Sequence, residues 1–85
     1  MPRDPIQAKG LLLASIRDPN PVIFFEPKAL YRNAEDEVPN EDFTLSLEKS
    51  EVVKEGKDIT MIGYGNLMRT ISATANTLEK EGISC

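Results

Sequence analysis

Two prolines one residue apart, Pro19 and Pro21, constrain this chain more than any other feature. Proline has no amide to donate and pushes the residue before it out of helical geometry, so Asp18-Pro19-Asn20-Pro21 must end any helix that precedes it. What precedes it is helical in pattern. Asp4 followed by Pro5 is a start signal, because the carboxylate can accept orphan amides and proline fits the first turn. A helix is expected over residues 5–16. Ala8, Leu12 and Ile16 align at a spacing of four, and Leu11 and Leu13 widen the apolar face until it nearly surrounds the helix. Such a helix expects partners on more than one side. Gly10 costs about 1 kcal/mol inside a helix, which predicts the close approach of another backbone.

Beyond the stop, residues 22–25 form an apolar run of β-branched and aromatic types, the pattern of a buried parallel strand, and Glu26-Pro27 ends it. The same grammar returns in the opposite order further on. Residues 59–62 read as a second short buried strand, and Gly63-Tyr64-Gly65-Asn66 makes the turn into a helix. On that helix Leu67, Ile71, Ala75 and Leu78 share one stripe, and Lys80-Glu81-Gly82 closes it. Residues 83–85 would begin another strand, so the chain is expected to be a piece of a longer one. The fold class these elements imply is α/β, with parallel sheets and packed helices.

Charge divides the sequence into three zones. Residues 1–34 carry a net +2, residues 35–58 hold nine acids against three lysines for a net −6, and residues 59–85 balance to zero. The middle zone reads as a solvated linker over residues 35–57, with Glu41 and Asp42 in water and a short element starting near Ser46. Few apolar groups there can offset an ordering cost of about 1 to 2 kcal/mol per residue.

Several function classes fall away on composition. With no histidine, triads built on that residue and the usual zinc sites cannot be assembled from this chain. A net charge of −4 argues against a nucleic-acid binder. The apolar run at residues 11–16 is far short of the roughly 20 residues that span a bilayer, so no membrane partner is expected. Cys85 is the single cysteine, which fits a reducing, intracellular compartment, and no targeting segment is visible at Met1. Gly63-x-Gly65 after a strand lacks the third glycine of a dinucleotide loop and is read as a plain turn.

The stretch QAKGLLLASIRDPNPVIFFEPKALYR, residues 7–32, is similar to the late part of the cofactor-binding domain in beta subunits of branched-chain 2-oxoacid dehydrogenases. The similarity continues through AEDEVP. DITMIGYGNLMRTISATANTLEKEGISC, residues 58–85, resembles the opening of that family's transketolase C-terminal-like domain. The resemblance implies three segments: residues 1–34, the end of a pyrimidine-type thiamine-diphosphate-binding domain; residues 35–57, the acidic linker; and residues 58–85, the start of the second domain. Phe25-Glu26-Pro27-Lys28 with Leu30-Tyr31-Arg32 favours the branched-chain over the pyruvate branch.

What the resemblance implies about chemistry is an oxidative decarboxylation of a 2-oxoacid, with the acyl group passed to lipoamide. The cofactors implied are thiamine diphosphate with Mg2+, held in the intact complex by residues outside this chain, and a structural K+. No catalytic role is inherited here, and the isolated chain is expected to be inactive. The K+ is held in the family on backbone carbonyls at positions matching Ser15, Asp18 and Asn20, with Ile16 contributing in some relatives. The implied partners are the alpha subunit, a second beta subunit in a heterotetramer, and the lipoyl acyltransferase core. The implied location is the cytoplasm of a prokaryote or the mitochondrial matrix of a eukaryote. Competing readings are a pyruvate dehydrogenase beta subunit, a transketolase or deoxyxylulose-phosphate synthase, and a non-catalytic protein-interaction module. EPKALYR and the acidic linker disfavour the second. The third should end its elements with caps. Tyr31 and Arg32 are read equally as interface residues and as a packed tyrosine with a solvated arginine.

Overall fold

The computed structural model describes all 85 residues. Its first helix, α1 (Pro5–Arg17), begins where the cap chemistry demands. The Asp4 carboxylate accepts the amide of Gln7 at 2.7 Å, and the Gln7 side chain accepts the amide of Arg3 at 3.1 Å. Two orphan donors are thereby satisfied by a near-reciprocal pair, a variant of the capping box. The helix ends at Asp18, whose ψ of 133 is extended, one residue before Pro19.

A single turn, α2 (Leu30–Asn33), follows, and nothing in the periodicity announces it. It grows from a tight turn in which Leu30 and Tyr31 donate to the carbonyls of Pro27 and Lys28, and it buries Leu30. The third helix, α3 (Leu67–Lys80), opens from Gly65, which has φ +59, and closes on Gly82 at φ +84. At that end the amide of Ile83 reaches the carbonyl of Leu78 at 3.0 Å and the amide of Gly82 reaches Glu79 at 3.1 Å. This paired pattern is the Schellman closure that a glycine in left-handed geometry permits. On the stripe Ala75 is buried, Ile71 and Leu78 are half-buried, and Leu67 is exposed.

The expected strands do not form. Residues 22–26 make no backbone hydrogen bond, and Ile23 and Ile62 are 80% and 88% exposed. A parallel strand exists only through a neighbour that takes up its amides and carbonyls, and no other part of these 85 residues offers that ladder. A local clasp at Ser84 stands in place of a ladder. The Ser84 carbonyl accepts the amides of Asp58 and Ile59 at 2.9 and 3.1 Å, and the Ser84 amide donates to the Asp58 carboxylate at 2.8 Å.

None of the three helices packs on another, and no large side chain is fully buried. The accessible surface is 6840 Å², against about 5,000 Å² for a folded monomer of this mass. The radius of gyration is 14.6 Å, where a self-contained domain of this length would have about 12 Å. The elements are present but their apolar faces are unfilled.

Candidate cation site at the end of the first helix

The last turn of α1 presents carbonyls without intrahelical partners, a condition common to every helix end. Here the local side chains are committed elsewhere. The Ser15 hydroxyl donates back to the Leu11 carbonyl at 2.7 Å. One Asp18 carboxylate oxygen accepts both the backbone amide and the side-chain amide of Asn20, at 2.9 and 3.0 Å, folding the loop into an Asx turn. The main-chain carbonyls of Ser15, Asp18 and Asn20 accept no hydrogen bond from the chain. The structure therefore joins Asp18 to Asn20 directly, while Ser15 stands half-buried one turn earlier with no hydrogen bond to either.

This donor set fits a monovalent cation in kind: neutral oxygens at the negative end of a helix dipole, with Pro19 and Pro21 removing two competing amides. It falls short in strength. A helix end contributes about 0.3 to 1 kcal/mol towards a cation, whereas millimolar affinity needs about 4 kcal/mol.

Sequence reasoning missed what holds the acidic stretch. Arg17, the last residue of α1, grips the Asp42 carboxylate through both oxygens at 2.8 and 2.9 Å. The Lys9 ammonium donates to the carbonyls of Pro39 and Glu41 and lies 5.1 Å from the centre of the Phe43 ring. The Leu45 amide donates to the Gly10 carbonyl at 3.1 Å. Residues 39–45 thus lie along α1, and the opposite net charges of the first two zones were the available signal. Where Gly10 was expected to meet another backbone, side chains fill the space of the missing Cβ: a Cβ there would sit 2.7 Å from Leu45 Cγ and 2.9 Å from Phe43 Cε2.

Further clasps lie nearby. Glu51 accepts from Arg3 at 2.8 Å and from Gln7 at 3.3 Å, and the Arg3 guanidinium holds its carboxyl below the usual range. Tyr31 is exposed and its hydroxyl donates to the Glu26 carboxylate, which raises the phenol's pKa. Between the Glu26–Tyr31 pair and α1 runs a groove of about 350 Å³ lined by Pro5, Ala8, Leu12, Phe24 and Leu30 among others. No cluster of three or more cysteine, aspartate or glutamate side chains is arranged to hold a metal ion, and no helix is long and apolar enough to cross a membrane.

Residues 48–85 match the family described as transketolase, C-terminal domain. Over its whole length the chain is 53% identical to 2-oxoisovalerate dehydrogenase subunit beta 2, mitochondrial, of Arabidopsis thaliana, covering 24% of that protein. It is 57% identical to 2-oxoisovalerate dehydrogenase subunit beta, mitochondrial, of Dictyostelium discoideum, covering 23%. To the pyruvate dehydrogenase E1 component subunit beta of Bacillus subtilis it is 45% identical over 99% of its length, covering 26%. The chain spans about a quarter of the length of the curated relatives it matches. Its second half is thus of the transketolase C-terminal class. Along its whole length the chain is similar to beta subunits of 2-oxoacid dehydrogenases.

Proposed function

We propose that these residues form the part of a branched-chain 2-oxoacid dehydrogenase beta subunit where the cofactor-binding domain, ending at residue 34, passes through an acidic linker into the transketolase C-terminal domain, whose match begins at residue 48. The observation that carries this reading is the match along the whole chain, at 53% and 57% identity, to two 2-oxoisovalerate dehydrogenase beta subunits, with another such subunit at 46% and two pyruvate relatives at 45% and 46%. The complex would decarboxylate a branched-chain 2-oxoacid and pass the acyl group to lipoamide. Thiamine diphosphate with Mg2+ supplies the carbanion chemistry when bound, and residues outside this chain hold it. The partners in this reading are the alpha subunit, a second beta subunit and the lipoyl acyltransferase core. The location is the mitochondrial matrix in a eukaryote or the cytoplasm in a prokaryote.

The contribution of this chain is positional. Its helix-end carbonyls at Ser15, Asp18 and Asn20 take part in holding a structural K+, with ligands from other segments supplying most of the affinity. Bound there, the ion fixes the path from α1 into residues 22–25, whose backbone makes no hydrogen bonds of its own.

The test is turnover by the full-length beta subunit assembled with its alpha partner, given 2-oxoisovalerate and pyruvate separately. A higher kcat/KM for 2-oxoisovalerate is expected. Preference for pyruvate would transfer the chain to the pyruvate branch, and turnover of neither would overturn the assignment.

A further inference from the structure

Arg17 occupies the last position of α1, next to the three carbonyls of the candidate potassium site. An arginine in a final helical turn has two uses for its charge: it can donate to the orphan carbonyls itself, or it can be drawn away by an acid elsewhere. The structure shows the second. Both Arg17–Asp42 bonds, 2.8 and 2.9 Å, run to one carboxylate 25 residues further along the chain, and the Ser15, Asp18 and Asn20 carbonyls remain without donors.

Asp42 reaches Arg17 because residues 39–45 are fastened to α1 at two other points, Lys9 to the carbonyls of Pro39 and Glu41, and Leu45 to Gly10. The pair is solvent-facing, with side chains 52% and 68% exposed. Exposed pairs of this kind add little to stability. Its consequence is where it leaves one positive charge.

We infer that Asp42 is a positioning residue for the cation site, acting through Arg17: it neutralises the guanidinium and keeps it off the carbonyls that the potassium ion needs. This rests on the potassium reading above and adds to it a coupling between the acidic linker and the helix end. With residues 39–45, the strap, docked along α1, the carbonyls are free for the ion. When Asp42 is lost, Arg17 competes with the ion by hydrogen bonding and by repulsion.

The experiment is a potassium titration of thermal stability in the full-length subunit, with sodium as the control cation, for the wild type, Asp42→Asn, Asp42→Glu, Arg17→Gln and the Asp42→Asn/Arg17→Gln double variant. Asp42→Asn should raise the potassium midpoint about two- to fivefold, the range that one charge at a helix end commands. Asp42→Glu keeps the pair and should stay near the wild type, and the double variant should return to the behaviour of Arg17→Gln. Wild-type protein without potassium-dependent stabilisation would overturn the site and this coupling together. Stabilisation of the wild type with no shift in Asp42→Asn, or a shift that persists in the double variant, would overturn the coupling and leave the site standing.

Discussion

The amide of Leu45 donates to the carbonyl of Gly10 at 3.1 Å, tying the end of the acidic stretch to the middle of the first helix. The glycine is required there by space, since a methyl group would meet Leu45 Cγ at 2.7 Å. Gly10→Ala gains about 1 kcal/mol of helix propensity but overpacks the contact at a cost of about 1 to 3 kcal/mol. The expected outcome is a helix of higher content with a detached strap. Amide exchange should show residues within α1 better protected and Leu45 less protected. Leu45 protection equal to the wild type would refute the contact.

Exchange in the wild type also tests the linker. Residues 35–42 donate no backbone hydrogen bond, although Lys9 and Arg17 anchor the segment by their side chains. Their amides should exchange nearly freely while Leu45, a few residues on, is slowed. Uniform protection across 35–45 would mean that the stretch is folded, not strapped.

Two ionisations should move in opposite directions. The carboxyl of Glu51 is lowered by its bond with Arg3 and by the charge of that guanidinium, so the clasp's contribution is present above the ordinary glutamate pKa and is lost as pH falls through the depressed value. The Tyr31 phenol is raised by its bond to Glu26, so that contribution is intact below about pH 10 and disappears as pH rises through the elevated value. Ultraviolet titration of Glu26→Gln should return Tyr31 to the ordinary phenol range. An unchanged phenol titration would show that Glu26 is not the cause.

At the helix end the Asx turn sharpens what substitution should do. In the full-length subunit Asp18→Asn keeps a side-chain oxygen for the Asn20 amide and should retain potassium-dependent stabilisation. Asn20→Pro removes that amide and should lose most of it. Asp18→Ala should fall between, because it loses the turn but keeps the carbonyls. Complete loss in Asp18→Asn, with the fold intact by circular dichroism, would point to carboxylate ligation.

The elements whose causes are local were legible in the sequence. Asp4 with Pro5 places the start of α1, Pro19 its end, Gly65 and Gly82 the ends of α3, and each of these acts within a few residues. The pieces that depend on distant partners were not. Residues 22–25 and 59–62 have the composition of buried strands, yet a strand is a relation between segments, and no segment here supplies the ladder. Lys9 with Glu41 and Arg17 with Asp42 join residues 32 and 25 apart, a register that charge sums suggest and spacing does not specify. The one turn of α2 rests on the burial of Leu30, which periodicity over four residues cannot signal. At the candidate site the proline-bounded loop was legible, whereas the diversion of Arg17 was not.

In the function proposed for it, this chain positions and connects within a larger subunit and brings no reacting group. The direct measurement is decarboxylation of 2-oxoisovalerate by the isolated 85-residue chain, with thiamine diphosphate, magnesium and potassium present, beside calorimetric titration of the cofactor. No turnover above a protein-free blank and no heat of cofactor binding are expected, while the full-length subunit with its alpha partner turns over under the same conditions. Turnover or saturable cofactor binding by the isolated chain would contradict the claim.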